Sequence, residues 1–294
     1  MNKNIGLLLC FLLILIGCSQ KRIISKQELS TSFKRYWFSG LAEVTSYELT
    51  QNRYGELRKG KAVTIYVIED FDTKKQVKTK QSKNKEPVLK LNLLKEFQTG
   101  IYPYKIMQSN FSTLQYKHNQ IVKASYSQQE WCGQIYMQLN STPFFSKSLK
   151  IKKHSYFEEN NEQKLQIDAK LTEQHLWNQI RINGSKNLPL GKYQILPSFE
   201  FLALYHKSIK TYSAVTQLHS SLKDKTKTYL LSYPNLKRDL KITFEDYFPY
   251  KIISWEEYFK QELICSAKRI KVLRTDYWNK NSNQDTLYIN ELHL

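Results

Sequence analysis

Cys132 is the residue best suited to nucleophilic chemistry. It stands in Gln129-Glu130-Trp131-Cys132-Gly133, with His154, Asp168 and His175 downstream, the residue types of a Cys-His-Asp enzyme. A thiol becomes a nucleophile when a base or a positive field lowers its pKa. The local sequence supplies neither, so core packing or half of a disulfide is the expected role. The histidines (His118, His154, His175, His206, His219 and His293) contain no HxH, no HExxH and no pair three or four apart, the spacings that ligate zinc. Phosphate-cradling GxxxxGK[ST] and GxGxxG loops and the GxSxG elbow are missing too. Adjacent acids such as Glu69-Asp70, Glu158-Glu159 and Glu256-Glu257 remain. On a strand, neighbours point to opposite faces, so such pairs do not converge on one substrate. No catalytic residue, metal or cofactor is expected.

The chemistry the sequence does predict is at Cys18. A short n-region carrying Lys3 precedes an uncharged apolar run over 5–16, which ends in Leu15-Ile16-Gly17-Cys18. As a helix that run reaches about 18 Å, short of the ~30 Å hydrocarbon core of a bilayer, which points to a cleaved export signal rather than a span. Two aliphatics, a small residue and a cysteine look like the lipobox of bacterial lipoproteins. The small Gly17 admits the signal peptidase, and the thiol of Cys18 takes a diacylglyceryl group. Several acyl chains on one residue anchor stably. Ser19, rather than Asp, follows the cysteine, so the outer membrane is expected. With no acidic cluster after Cys18, the periplasmic face is expected. The chain then divides into a signal peptide over 1–17, a lipidated tether over 18–32 and a β-rich periplasmic domain over 33–294.

That compartment changes the meaning of composition. With 45 Lys+Arg against 26 Asp+Glu, the chain carries +19, and export replaces nucleic acid by phospholipid, lipopolysaccharide or cell-wall anions as the partner. The densest run holds Lys74, Lys75, Lys78, Lys80, Lys83 and Lys85 without an acid or an aromatic, so it lacks the stacking half of a single-strand-binding platform. It reads as a loop tip able to touch an anionic surface. Cys132 and Cys265, the two thiols left after processing, are candidates for a disulfide in an oxidising periplasm. Hydrophobic residues at 41%, with 20 Tyr, 14 Phe and 5 Trp, exclude a disordered chain, and 9 Gly exclude a collagen-like one.

Strands must position these residues. β-branched and alternating runs fall at 41–49, 62–68, 88–97, 100–107, 120–127, 134–139, 149–157 and 164–171. Others fall at 193–196, 207–218, 226–233, 240–244 and 250–255. Turn signals stand at Asn52-Arg53-Tyr54-Gly55 and at Lys59-Gly60. Thr172 caps a predicted helix that stops before Gly184. Ser254-Trp255-Glu256-Glu257 matches a capping box, but strand–turn–strand is favoured there. The expectation is a mainly β fold: an antiparallel sheet, as an open half-barrel or a sandwich, with one or two short helices.

Several segments resemble one family. They are Tyr36-Trp37-Phe38-Ser39-Gly40, Arg53-Tyr54-Gly55-Glu56, Gly60-Lys61-Ala62-Val63, Glu69-Asp70-Phe71, Thr99-Gly100-Ile101-Tyr102-Pro103-Tyr104, Glu130-Trp131-Cys132-Gly133, Pro197-Ser198-Phe199-Glu200-Phe201 and Tyr277-Trp278-Asn279-Lys280-Asn281-Ser282. The family is an uncharacterised group of Gram-negative outer-membrane lipoproteins that often carries the label "septum formation inhibitor Maf". Maf nucleotide pyrophosphatases themselves carry a Ser-Pro-Arg-Arg signature, which this chain lacks, so the resemblance brings no catalytic residue. The β-rich outline is also similar to the open half-barrel of lipoprotein carriers and receptors. Together these imply a non-catalytic, lipid-anchored envelope protein whose basic, aromatic-rich β-domain binds an anionic or amphipathic partner. The alternatives are a carrier of lipid or lipoprotein with an apolar cavity and, third, an enzyme.

Overall fold

A computed structural model describes residues 28–114, 120–141, 148–157 and 162–294. The signal peptide, Cys18, most of the tether and the Glu158-Glu159 pair lie outside the described residues. From the N-terminal side the elements are α1 (Thr31–Trp37), β1 (Ala42–Arg53), β2 (Glu56–Asp72), β3 (Val77–Lys78), β4 (Lys85–Thr99), β5 (Tyr102–Thr113), β6 (Ile121–Glu130), β7 (Gly133–Ser141), β8 (Ser148–Ser155) and β9 (Gln163–Asp168). Then follow β10 (Leu171–Thr172), α2 (Glu173–Asn183), β11 (Gly191–Leu196), α3 (Phe199–Leu204), β12 (Tyr212–Ser221), β13 (Thr226–Tyr233), β14 (Arg238–Glu245), β15 (Ile252–Phe259), β16 (Glu262–Thr275) and α4 (Leu287–Glu291).

All these strands join one open sheet, in the order β10-β11-β12-β13-β14-β15-β16-β1-β2-β4-β5-β6-β7-β8-β9, with β3 paired to β2. Every pairing is antiparallel except β10 with β11. This is the half-barrel alternative rather than a sandwich of two sheets. The helices exceed the expected one or two, because α1, α3 and α4 join α2. Lys59-Gly60 lies inside β2 instead of forming a turn. A Cβ at Gly60 would stand 2.3 Å from the Glu96 carbonyl oxygen, so glycine permits β2 and β4 to approach there. The turn at Tyr54-Gly55 is real, with both residues at positive φ as a tight hairpin requires.

Alternation sets the inner face. On β4, Leu89, Leu91, Leu93 and Phe97 enter the core, while Glu96 and Gln98 are exposed. The sheet curves around α2, whose residues from Glu173 to Ile182 are all buried. That helix reaches Arg238 on β14, Glu43 on β1, and the Leu89 and Asn110 carbonyl oxygens on β4 and β5. Thr172 caps it as expected, accepting from the His175 amide at 3.3 Å. It stops at Gly184, where positive φ and the Tyr250 ring 2.7 Å from a would-be Cβ both favour glycine. Ser198 caps α3 through the Phe201 amide at 3.2 Å.

Candidate functional site

Two polar systems stand out, one inside the sheet and one on its outer face. The inner system fixes the helices. Arg238, fully buried, donates to both carboxylate oxygens of Glu173 at 2.6 and 2.8 Å and, through Nε, to Glu257 at 2.6 Å. Its guanidinium lies 4.5 Å from the Phe201 ring centre. Lys95 donates to Glu200 of α3 at 2.6 Å, to Gln51 at 3.3 Å and to the Cys265 sulfur at 3.4 Å. These two cations face three carboxylates. Burial pushes the Glu257 carboxyl up, and the attraction of Arg238 only partly offsets that. A second pair joins α2 to β1. Arg181 donates to Glu43 at 2.6 and 2.8 Å and to the Pro249 carbonyl at 3.0 Å, while Tyr36 of α1 donates to the same carboxylate. Burial alone would raise the Glu43 carboxyl, but Arg181 and the Tyr36 hydroxyl outweigh it and hold it below the ordinary value.

The predicted nucleophile does not gather a catalytic set. Cys132 is an exposed free thiol in the β6–β7 turn, and the hydrogen bond and charge of Glu130 push its pKa up. Its shallow cleft is lined by 129–134 and Tyr156, without a histidine among the described residues. His175 is buried on α2 against Ser112 at 2.9 Å, His154 pairs with Glu162 at 3.2 Å, and Asp168 ends β9. Cys132 and Cys265 form no disulfide in this structure, a correction to the candidate pairing. Cys265 points inward from β16 to Lys95, and burial pushes its thiol up to about 11. The adjacent acids behave as strand geometry requires: Glu257 faces inward to Arg238, and Glu256 faces outward to Lys241 at 3.7 Å.

The outer system is basic. The run from Lys74 to Lys85 is an ordered turn rather than a loose tip. Asp72 accepts from the amides of Lys74 and Lys75 at 2.9 and 2.8 Å and from the Ser82 hydroxyl at 2.5 Å. Gln76, at φ 54°, donates to the Ser141 carbonyl at 2.6 Å; its own carbonyl accepts from Lys123 at 3.0 Å, and its side-chain oxygen from Asn140. Those bonds lay the turn against the ends of β6 and β7. All six lysines of the run are exposed. Lys78 and Lys85 meet Glu69 and Asp70 at 3.3 and 2.9 Å, which the run alone did not reveal.

Register continues this patch across the outer face. Lys123, Asn140, Lys150 and Gln166 lie opposite one another across β6, β7, β8 and β9, and the next row holds Ser125, Gln138, Lys152 and Lys164. Lys152 and Lys164 are directly opposed, an arrangement unfavourable to the sheet by itself. Tyr136, exposed, donates to Gln138 at 2.8 Å, and Gln138 to Asn140 at 2.6 Å, so the polar groups between the lysines are fixed. Lys74, Lys75, Lys123, Lys150, Lys152 and Lys164 share this side of the sheet, against Glu162 and Asp168 at its edge. Sequence reading missed Lys123, Lys150, Lys152 and Lys164. The signal was the alternation Lys150-Ile151-Lys152, but only register brings it to β6, β9 and the turn. No family model, no curated protein and no solved structure matches this chain.

Proposed function

We propose that this is a lipid-anchored protein of the outer membrane, acylated at Cys18 and facing the periplasm, that uses the outer face of β6–β9 with the β2–β3 turn to hold an anionic envelope partner without catalysis. The observation that supports this reading is the gathering of six lysines on one face by register and by the bonds of Gln76. Directly opposed lysines weaken a sheet, and a phosphate- or carboxylate-bearing surface offsets that repulsion. Phospholipid and lipopolysaccharide headgroups supply such groups, and each lysine near an anionic bilayer contributes about 1 kcal/mol. The lipobox and the resemblance to outer-membrane lipoproteins support the placement. The carrier alternative requires α2 and α3 to vacate the inner face, and the buried bonds of Arg238, Arg181 and Lys95 oppose that.

One chain of experiments tests the reading. Radiolabelled palmitate is expected to mark the wild-type protein and to fail on Cys18→Ser. The unacylated Cys18→Ser protein is then expected to pellet with phosphatidylglycerol-containing vesicles at 50 mM salt and to leave them by 500 mM, as the Debye length shrinks. Label retained on Cys18→Ser, or vesicle binding indifferent to salt, contradicts it.

A further inference from the structure

The two ends of the sheet meet in an unusual way. β9 ends at Asp168, and after Ala169 and Lys170 the same stretch of chain becomes β10, which pairs in parallel with the far end of the sheet at Leu171↔Ile195 and Thr172↔Leu196. A bend at Lys170 separates the two strands, of which β9 bonds β8 and β10 bonds β11. Carried backward, that parallel register would set 167–169 opposite 191–193. The strands instead part there, leaving a cleft of about 690 Å³ lined by 168–171 and 192–194.

Three properties of this seam specify an occupant. First, β9 bonds β8 on one side, and the Gly191–Gln194 part of β11 bonds β12 on one side; among the described residues, the facing edges carry no strand partner. Unpaired ladder groups are the template for an added strand. Second, thirteen successive antiparallel pairings lead from β11 round to β9, so the two free edges have opposite sense in the sheet, and a strand laid between them would bond on two sides, antiparallel to one edge and parallel to the other. Third, the faces differ. Leu165, Ile167 and Leu171 are only partly buried against the core, and Tyr193, on the same face as Ala214, is 38% exposed. On the outer face Lys164 and Lys192 are exposed, as is Lys170 in the crossing, against Asp168 alone in the cleft.

We infer that this seam receives an extended segment of a partner polypeptide, about six residues long, with apolar side chains alternating inward and acidic ones outward. Backbone bonds to β9 and β11 hold it, and Lys164, Lys170 and Lys192 select its charge. This site is separate from the lysine rows of the proposed outer face, Lys164 excepted.

The probe is a fluorescent eight-residue peptide alternating valine and glutamate, titrated into the full-length Cys18→Ser protein with anisotropy and amide hydrogen exchange as readouts. Saturable binding is expected, with exchange slowed over 163–168 and 191–194. The same peptide N-methylated at alternate amides is expected to bind at least tenfold more weakly, and Lys170→Glu/Lys192→Glu is expected to weaken the parent peptide at least tenfold. Lys150→Glu/Lys152→Glu is expected to leave it within twofold, which separates failure here from failure of the outer-face reading. The inference is overturned by binding that ignores N-methylation, by slowed exchange elsewhere, by absence of binding at 1 mM peptide, or by dimerisation of the protein through the same edges in the peptide's absence.

Discussion

Arg238→Met is expected to lower the unfolding free energy by about 3–5 kcal/mol, the range for breaking a buried ion pair from one side. The guanidinium is 0% exposed and serves two carboxylates at once. Methionine fills part of the volume and the contact with Phe201, but leaves Glu173 and Glu257 buried without the cation that hydrogen-bonds both. Urea unfolding measures the deficit. Its pH dependence identifies the cause. Without Arg238, the burial that already raises the Glu257 carboxyl loses its main opposing attraction, and the folded pKa moves further above the unfolded value near 4.5. The stability such a group contributes is fully present below the unfolded value and lost as pH rises through the folded one. The gap between wild type and variant therefore widens from pH 5 to pH 8. Adding Glu173→Gln and Glu257→Gln to the variant is expected to recover most of the loss, since a neutral site needs no counter-ion. A deficit under 1 kcal/mol, or one that narrows toward pH 8, contradicts the role given to Arg238.

Glu43→Gln is expected to cost a similar amount, about 3–5 kcal/mol, by leaving the Arg181 charge uncompensated between α2 and β1. Glu43 and Arg181 are each 1% exposed, and Arg181 also lies 4.5 Å from the Tyr66 ring centre and 5.1 Å from that of Trp37. The sign of its pH dependence follows from the wild-type carboxyl, which is held below its ordinary value. A depressed carboxyl contributes stability that is complete above the unfolded pKa and lost as pH falls through the folded one. The advantage of wild type over Glu43→Gln is therefore flat from pH 7 to about 5 and fades below about 4.5. An advantage that persists undiminished into strong acid contradicts the pair as the source.

Much of the scaffold was legible because sheet alternation and turn chemistry are local. The run at 226–233 coincides with β13, and Thr172 with Gly184 bounded α2. The favoured strand–turn–strand reading over 250–264 also holds, with β15 and β16 on either side of the Lys260-Gln261 turn. The capping box at Ser254 lost to the pairing of β14 with β15. α3 was hidden inside an apolar run, Phe199-Glu200-Phe201-Leu202-Ala203-Leu204, whose hydrophobicity has no period to separate helix from strand. The polar content of α2 concealed its burial. Glu173, Asn178 and Arg181 are tolerated there because partners far along the chain meet each of them, and those partners are a property of the tertiary fold. The outer face failed to show for the same reason. Lys123, Lys150 and Lys164 are separated in sequence and become neighbours only through register.

The proposed function rests on that face, and the most direct measurement is vesicle affinity after reversing its charges. Cys18→Ser protein carrying Lys75→Glu, Lys150→Glu and Lys152→Glu is compared with Cys18→Ser alone on phosphatidylglycerol-containing vesicles. These three side chains are exposed, so folding is expected to be unaffected. With about 1 kcal/mol per lysine at an anionic surface, the variant is expected to bind at least about 100-fold more weakly. Equal binding by the two proteins, with both folded, contradicts the account.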